Sequence, residues 1–181
     1  MPETSNIRKL ISELQNINKG SGEMNRESLG ELIVNSTDTM YRIAKTILGK
    51  DEDCYDAISE SIIKAYGKIH TLKKERYAKT WLIRILINEC YQIIRERQKS
   101  VSINEYEESI EAPEARDYGD LYCAIMQLPE KLRITIVLYY LEGYSIKEIA
   151  SLVESTETAI KKRLVRGREA LKGYLEEKDY E

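Results

Sequence analysis

Histidine is nearly absent: His70 is the only one in the chain. Serine-triad or Cys–His catalysis would have to rest on that residue, and no nucleophile motif accompanies it. Cysteine is scarce as well. Cys54, Cys90 and Cys123 stand far apart, with no CxxC pair and no zinc-ligand spacing, so they read as buried thiols of a reducing compartment. Neither a P-loop nor a GxGxxG is present, which removes the common phosphate cradles. Carboxylates are plentiful, but any pair of them fits a solvated helix face. These absences point away from an enzyme and away from any cofactor or metal. No apolar run approaches the length that spans a bilayer. Met1–Lys19 mixes Glu, Asn and Lys into its apolar residues, unlike a secretory leader. The expected location is the cytoplasm.

What is present is a soluble, helix-rich composition, 42% apolar and 33% charged, with a net charge of −3. The total argues weakly against a nucleic-acid binder, but the distribution matters more. Between Lys64 and Lys99 the cations include Lys73, Lys74, Arg76, Lys79, Arg84 and Arg95, opposed only by Glu75, Glu89 and Glu96. Residues 100–120 are the reverse, with seven acids against Arg116. From Thr158 to Gly173 the chain is basic again: Lys161, Lys162, Arg163, Arg166, Arg168 and Lys172 face Glu169 alone. Two basic blocks around an acidic one fit two nucleic-acid contacts on separate modules. They also fit two solvated helix faces.

Helical periodicity dominates, and no useful strand alternation occurs. Ile7, Leu10, Ile11 and Leu14 outline a short amphipathic helix in an N-terminal extension, 1–27, whose role is not legible. Leu32, Ile33, Ser36, Met40, Ile43, Ala44, Ile47 and Leu48 share one face, closed by Gly49. Asp51-Glu52-Asp53 opens a helix to about Gly67, with acids where the dipole favours them. A basic loop, Lys68 to Lys79, precedes a helix carrying Trp81, Leu82, Ile85, Leu86 and Ile93. The first module is thus 28–98. Residues 99–119, acidic and carrying Pro113 and Gly119, read as a flexible linker. The second module, 120–181, has a helix before Leu128 and another opened by Pro129 at its first position and stopped by Gly143. The fold class is all-α: two small helical domains joined by a flexible acidic linker.

Gly143–Leu171 is the most informative stretch. Ser145-Ile146-Lys147-Glu148 is a capping box. A short helix to Leu152, a tight turn, and a longer basic helix capped by Ser155 or Thr156 make a helix-turn-helix. Ala150 is small where the two helices cross, and Ile149, Val153, Ile160 and Leu164 supply contacts. At about 100° per residue, Ile160, Leu164, Gly167 and Leu171 share one side of the last helix. Thr158, Lys162 and Arg166 lie opposite, flanked by Lys161 and Arg163. One packed side and one cationic side is what entry into a major groove requires. An ordinary surface helix with a basic outer face is the bland reading, and the cap and turn favour DNA.

In the first module Arg84, Asn88, Tyr91 and Arg95 share one side of the helix that starts near Trp81. A ring to stack on a base, an amide for a base edge and two guanidiniums for phosphates suit melted DNA. A solvated face would look similar. Asp56 and Glu60, at i,i+4, are surface carboxylates or a docking site for a basic partner.

In this order the segments resemble the extracytoplasmic-function (ECF) sigma factors of bacterial RNA polymerase, over about residues 28–98 and 120–175. Asp56-Ala57-Ile58-Ser59-Glu60 with Lys64-Ala65-Tyr66 looks like the family segment that binds the clamp coiled coil of the polymerase largest subunit. Trp81-Leu82, Ile85, Asn88 and Arg95 match its −10-reading helix (region 2). Lys68–Lys79 falls where the family captures a flipped-out −10 base. Leu128-Pro129-Glu130-Lys131, Glu148-Ile149-Ala150 and Thr156 through Arg168 look like its −35-reading domain (region 4). The resemblance implies polymerase contacts at Asp56 and Glu60. It implies −10 contacts at Lys73, Lys74, Arg76, Lys79, Trp81, Arg84, Asn88, Tyr91 and Arg95, and −35 contacts at Thr156, Thr158, Lys161, Lys162, Arg163 and Arg166. Core RNA polymerase, promoter DNA and an anti-sigma factor, membrane-bound or not, are the implied partners. Ser59 departs from the usual Gln, Ile87 and Gln92 from a common basic residue and Asp, and Glu154-Ser155 from a usual turn Gly and apolar residue. The −10 preference therefore does not carry over, and Glu154 would have to adopt φ > 0 at some cost. A dimeric helix-turn-helix repressor and a helical adaptor for acidic partners remain as alternatives.

Overall fold

The computed structural model describes residues 3–15, 24–101 and 120–178. Among them every regular element is helical: α1 Glu3–Gln15, α2 Arg26–Leu48, α3 Asp51–Lys68, α4 Ala78–Val101, α5 Asp120–Gln127, α6 Glu130–Ile136, α7 Ile146–Leu152 and α8 Glu157–Lys178. The linker expected at 99–119 lies, from residue 102 on, outside the described residues, as does the Gly20–Gly22 break.

The first module is α2, α3 and α4 packed on one another around Leu29, Ile33, Met40, Ile43, Ile58, Ile62, Leu82 and Leu86, all buried. The amphipathic face read on α2 is the buried face, with Leu32 at its half-buried margin. Asn25 caps α2 by accepting from the Ser28 N–H at 2.7 Å. Gly49 takes φ +78°, and its N–H closes the helix on the Lys45 carbonyl. The first-turn acid Asp51 does more than face the dipole. It meets the Lys45 ammonium and accepts from the Tyr41 hydroxyl at 2.9 Å, so α2 and α3 are tied at their junction. The Lys45 contact holds the Asp51 carboxyl below its ordinary pKa. Burial raises the Cys54 thiol to about 12 and raises that of Cys90 still further, so both remain inert.

Part of the N-terminal extension belongs to this module. Ile7 and Ile11 of α1 are buried against α2 and α3. The Arg26 guanidinium donates to the Leu14 carbonyl at 3.0 and 3.3 Å, satisfying the last turn of α1. It also lies 5.0 Å over the Tyr66 ring.

In the second module α6 and α8 cross closely. A Cβ built on Gly167 would sit 2.8 Å from Ile136 Cγ1, which explains a glycine inside a long helix. Pro129 differs slightly from expectation. It is the N-cap of α6, in extended conformation, and its carbonyl accepts from Leu132 and Arg133. After Ile136 the chain widens into a π-helical turn, Val137–Leu141, before Gly143 at φ +72° ends it. The Ser145–Glu148 capping box is formed. Glu154 does take the left-handed turn, φ +48°, and Ser155 N–H bonds back to the Ala150 carbonyl at 2.8 Å. Thr156 is the cap of α8, accepting from Ala159 N–H at 3.2 Å.

The two modules touch. Arg42 of α2 pairs with Glu142 through Nε–Oε1 at 2.7 Å and Nη2–Oε2 at 3.3 Å. The Glu142 side chain is only 3% exposed. Helix α4 packs on α7, and α2 packs on α6.

Candidate polymerase and nucleic-acid interfaces

Asp56 and Glu60 lie exposed along α3, beside a groove between α3 and α4. Ala57, Ile63 and Ile93 give the groove apolar lining, and Gln92 and Glu96 of α4 join its rim. Ile63 is 46% exposed. Lys64 bridges Glu60 at 3.5 Å and the nearly buried Glu89 at 2.6 Å, and Glu89 raises its pKa. The groove therefore offers carboxylates around an apolar strip, complementary to a basic amphipathic helix. The sequence reading did not place Gln92 and Glu96 at a docking site, because only the α3–α4 packing brings them beside Asp56.

Between α3 and α4 the chain makes two short 3-10 turns, Ile69–Thr71 and Glu75–Tyr77. Lys73, Lys74 and Arg76 are exposed on this segment, and Lys79, expected in the loop, is exposed in the first turn of α4. Tyr77, absent from the sequence-derived residues, is 52% exposed, with the Arg76 guanidinium 4.7 Å from its ring centre. An aromatic ring among cations is a platform on which an unpaired base can stack. The signal was a lone Tyr inside a run of cations.

On α4, Arg84, Asn88 and Arg95 are exposed along one side, and Trp81 is half-buried against the core. The second module reaches part of this line. The Arg84 guanidinium donates to the Ser151 hydroxyl of α7. Tyr91 is half-buried; burial first, then the charge of and hydrogen bond to Glu130, push its hydroxyl pKa well up, while Arg163 opposes the shift. Lys79 lies 5.9 Å from the Tyr144 ring centre. Three of the residues expected to meet DNA thus meet α6, α7 or the turn before α7.

On α8 the split is as the angles require. Ile160, Leu164 and Gly167 are buried, whereas Thr158, Lys161, Lys162 and Arg166 are exposed and Arg163 is intermediate. Among the described residues, Lys161, Lys162 and Arg166 have no side-chain hydrogen bond or ion pair. Thr156 stands at the N-terminal end of this face, its hydroxyl engaged in the cap.

The arrangement coincides with two family models in chain order: Sigma-70 region 2 over residues 33–100 and Sigma-70, region 4 over residues 118–171. Among curated proteins the chain is 27% identical to the RNA polymerase sigma factor SigV of Bacillus subtilis over 142 residues, covering 77% of this chain and 86% of SigV. It is 25% identical to the ECF sigma factor SigW of the same organism, covering 93% of this chain and 96% of SigW. The chain belongs to the extracytoplasmic-function sigma factor family. As a sigma factor it directs core RNA polymerase to promoters and initiates transcription there. The dimeric repressor is not favoured, since a region 2 match has no place in it. The all-α, two-domain fold is that of the sigma factor RpoE of Bartonella quintana, solved in complex with the anti-sigma factor NepR. That likeness has a TM-score of 0.70 at 25% identity and covers 83% of this chain and 96% of the other. No helix among the described residues is long and apolar enough to cross a membrane. Sigma factors act as DNA-recognition subunits.

Proposed function

We propose that residues 28–98 dock this sigma factor on core polymerase and read the −10 element, and that residues 120–181 read the −35 element. The linker between α4 and α5, residues 102–119, lets each module find its own site. Asp56 and Glu60, with Gln92 and Glu96 across the groove, take a basic helix of the polymerase largest subunit. Lys73, Lys74, Arg76 and Lys79 draw in the DNA backbone. Trp81, Arg84, Asn88, Tyr91 and Arg95 hold the melted strand. Thr158, Lys161, Lys162, Arg163 and Arg166 enter the −35 major groove, with Thr156 at its edge. The observation that carries this reading is a pair of cationic faces on α4 and α8, on separate modules of one chain.

Arg84 and Tyr91 cannot hold Ser151 and Glu130 and also hold DNA. The modules therefore part on promoter binding. Polymerase supplies the driving force, because two weak DNA contacts fixed on one enzyme act together. The protein has no catalysis of its own and works in the cytoplasm. Like the Bartonella RpoE, solved in complex with an anti-sigma factor, it takes an anti-sigma factor as a partner.

The test is core polymerase pull-down followed by run-off transcription on fragmented genomic DNA. Capture of polymerase and transcripts from discrete new start sites are expected. Failure to capture polymerase, with specific duplexes retained by the protein alone, would overturn the assignment. Asp56→Lys separates the docking part: polymerase binding falls while the helical circular dichroism spectrum stays. Unchanged affinity would remove Asp56 from the interface.

A further inference from the structure

We infer that Val165 reads the 5-methyl group of a thymine in the −35 major groove. This rests on the proposal that α8 reads −35 duplex and names a base it distinguishes. Val165 is 44% exposed, although every other exposed residue on this part of α8 is hydrophilic. At about 100° per residue it falls on the line of Thr158, between Lys161 and Lys162. It is therefore central to the cationic face, away from the side where Ile160, Leu164 and Gly167 are buried.

Lysines and arginines around it contact phosphates or guanine edges. None of them can favour an apolar group. In the major groove the one apolar feature on a base edge is the thymine methyl. A valine in a helix holds nearly a single χ1 rotamer, so its two methyls form a fixed surface that loses little freedom on contact. Val165 stands about 10 Å along the helix from Thr158, within the two turns that enter a groove. Glu169, one turn further on the same line, is exposed and acidic and interrupts the cationic face before Lys172. The geometry thus places one apolar contact among the cations, at a depth where base edges are read.

The experiment uses the holoenzyme, this chain with core polymerase, on a promoter duplex taken from its own run-off start sites. Each thymine of the −35 element, on either strand, is replaced in turn by uracil, which removes the methyl and keeps every hydrogen-bonding edge. Wild type is expected to lose about fourfold in affinity at one position, the worth of one buried methyl. Val165→Ala should lose a comparable amount on the thymine duplex and become indifferent to uracil at that position. The site is exposed on a helix, so alanine keeps the fold. Indifference of wild type to every replacement, while Arg166→Ala still weakens the promoter, would overturn the role of Val165 and leave the −35 assignment standing. Full uracil sensitivity in Val165→Ala would also overturn it, giving the methyl to another group such as Thr158. Indifference to both uracil and Arg166→Ala would remove the −35 assignment and this inference together.

Discussion

The two cationic faces, on α4 and on α8, are built from the same chemistry but stand in different states. On α8, Lys161, Lys162 and Arg166 point to solvent without a side-chain partner among the described residues. On α4, Arg84 is bonded to Ser151, and Tyr91 is half-buried against Glu130. The α8 face is open, and part of the α4 face is covered by the module that carries α8. The difference teaches an order of events. On the proposed assignment the α8 face can sample duplex DNA at any time, whereas the α4 face becomes complete only when the modules separate.

The comparison breaks most severely if α8 is pushed off its support. Gly167→Val places methyl carbons where Ile136 already stands, and overpacking of this kind costs about 1–3 kcal/mol. Urea unfolding should show that loss, and −35 binding should fall while single-strand binding by the first module persists. Unaltered stability would mean that α6 yields freely. Next in size is Arg166→Ala, which should reduce promoter binding by about tenfold if the residue meets guanine. If it meets only phosphate, the salt slope should fall by about 1 instead. Transcription unchanged at every salt concentration would take Arg166 off the reading face.

The covered face is tested through its clasp. The Arg42 guanidinium is half exposed where it meets Glu142, and ion pairs open to solvent on one side contribute about 1 kcal/mol or less. Arg42→Ala should loosen the modules and raise the affinity of the free protein for a single-stranded −10 oligonucleotide by about two- to fivefold. A decrease would mean that Arg42 itself touches DNA. The smallest effect concerns the capping box of α7. The Ser145 hydroxyl and backbone N–H reach the Glu148 carboxylate at 2.6 and 2.9 Å and hold its pKa below the ordinary value. A depressed carboxylate stabilises the fold above its unfolded pKa and loses that contribution as pH falls through the folded one. Glu148→Gln should therefore cost about 0.5 kcal/mol near neutral pH. The gap from wild type should close as pH drops below about 4. A gap independent of pH would show that the charge plays no part.

Local chemistry was legible in the sequence; long-range contact was not. Gly49, the Ser145–Glu148 box and the two sides of α8 could be read directly, since each depends on residues within a turn or two. Pro129 fell one position off, as helix ends often do. The π-helical turn at Val137–Leu141 left no trace, because a widened turn alters hydrogen bonds without altering composition. The helix α1 was visible, but its seat was not: Arg26 and Leu14 lie 12 residues apart and on different helices, so no local pattern couples them. Tyr77 passed as one more loop residue until its exposure was seen. The module contact was hidden for the same reason on a larger scale. Arg42 and Glu142 lie 100 residues apart, and Arg84 and Ser151 lie 67 apart, so no local pattern couples them.

The most direct test of the closed-then-open order is the distance between the modules. Cys54, Cys90 and Cys123 are buried, so a fluorophore pair can be directed to cysteines introduced at Glu31 and Lys172, both exposed. Energy transfer should be high and uniform in the free protein and should fall when core polymerase and promoter DNA are added. The same transfer efficiency in both states, on a holoenzyme that transcribes, would contradict the account.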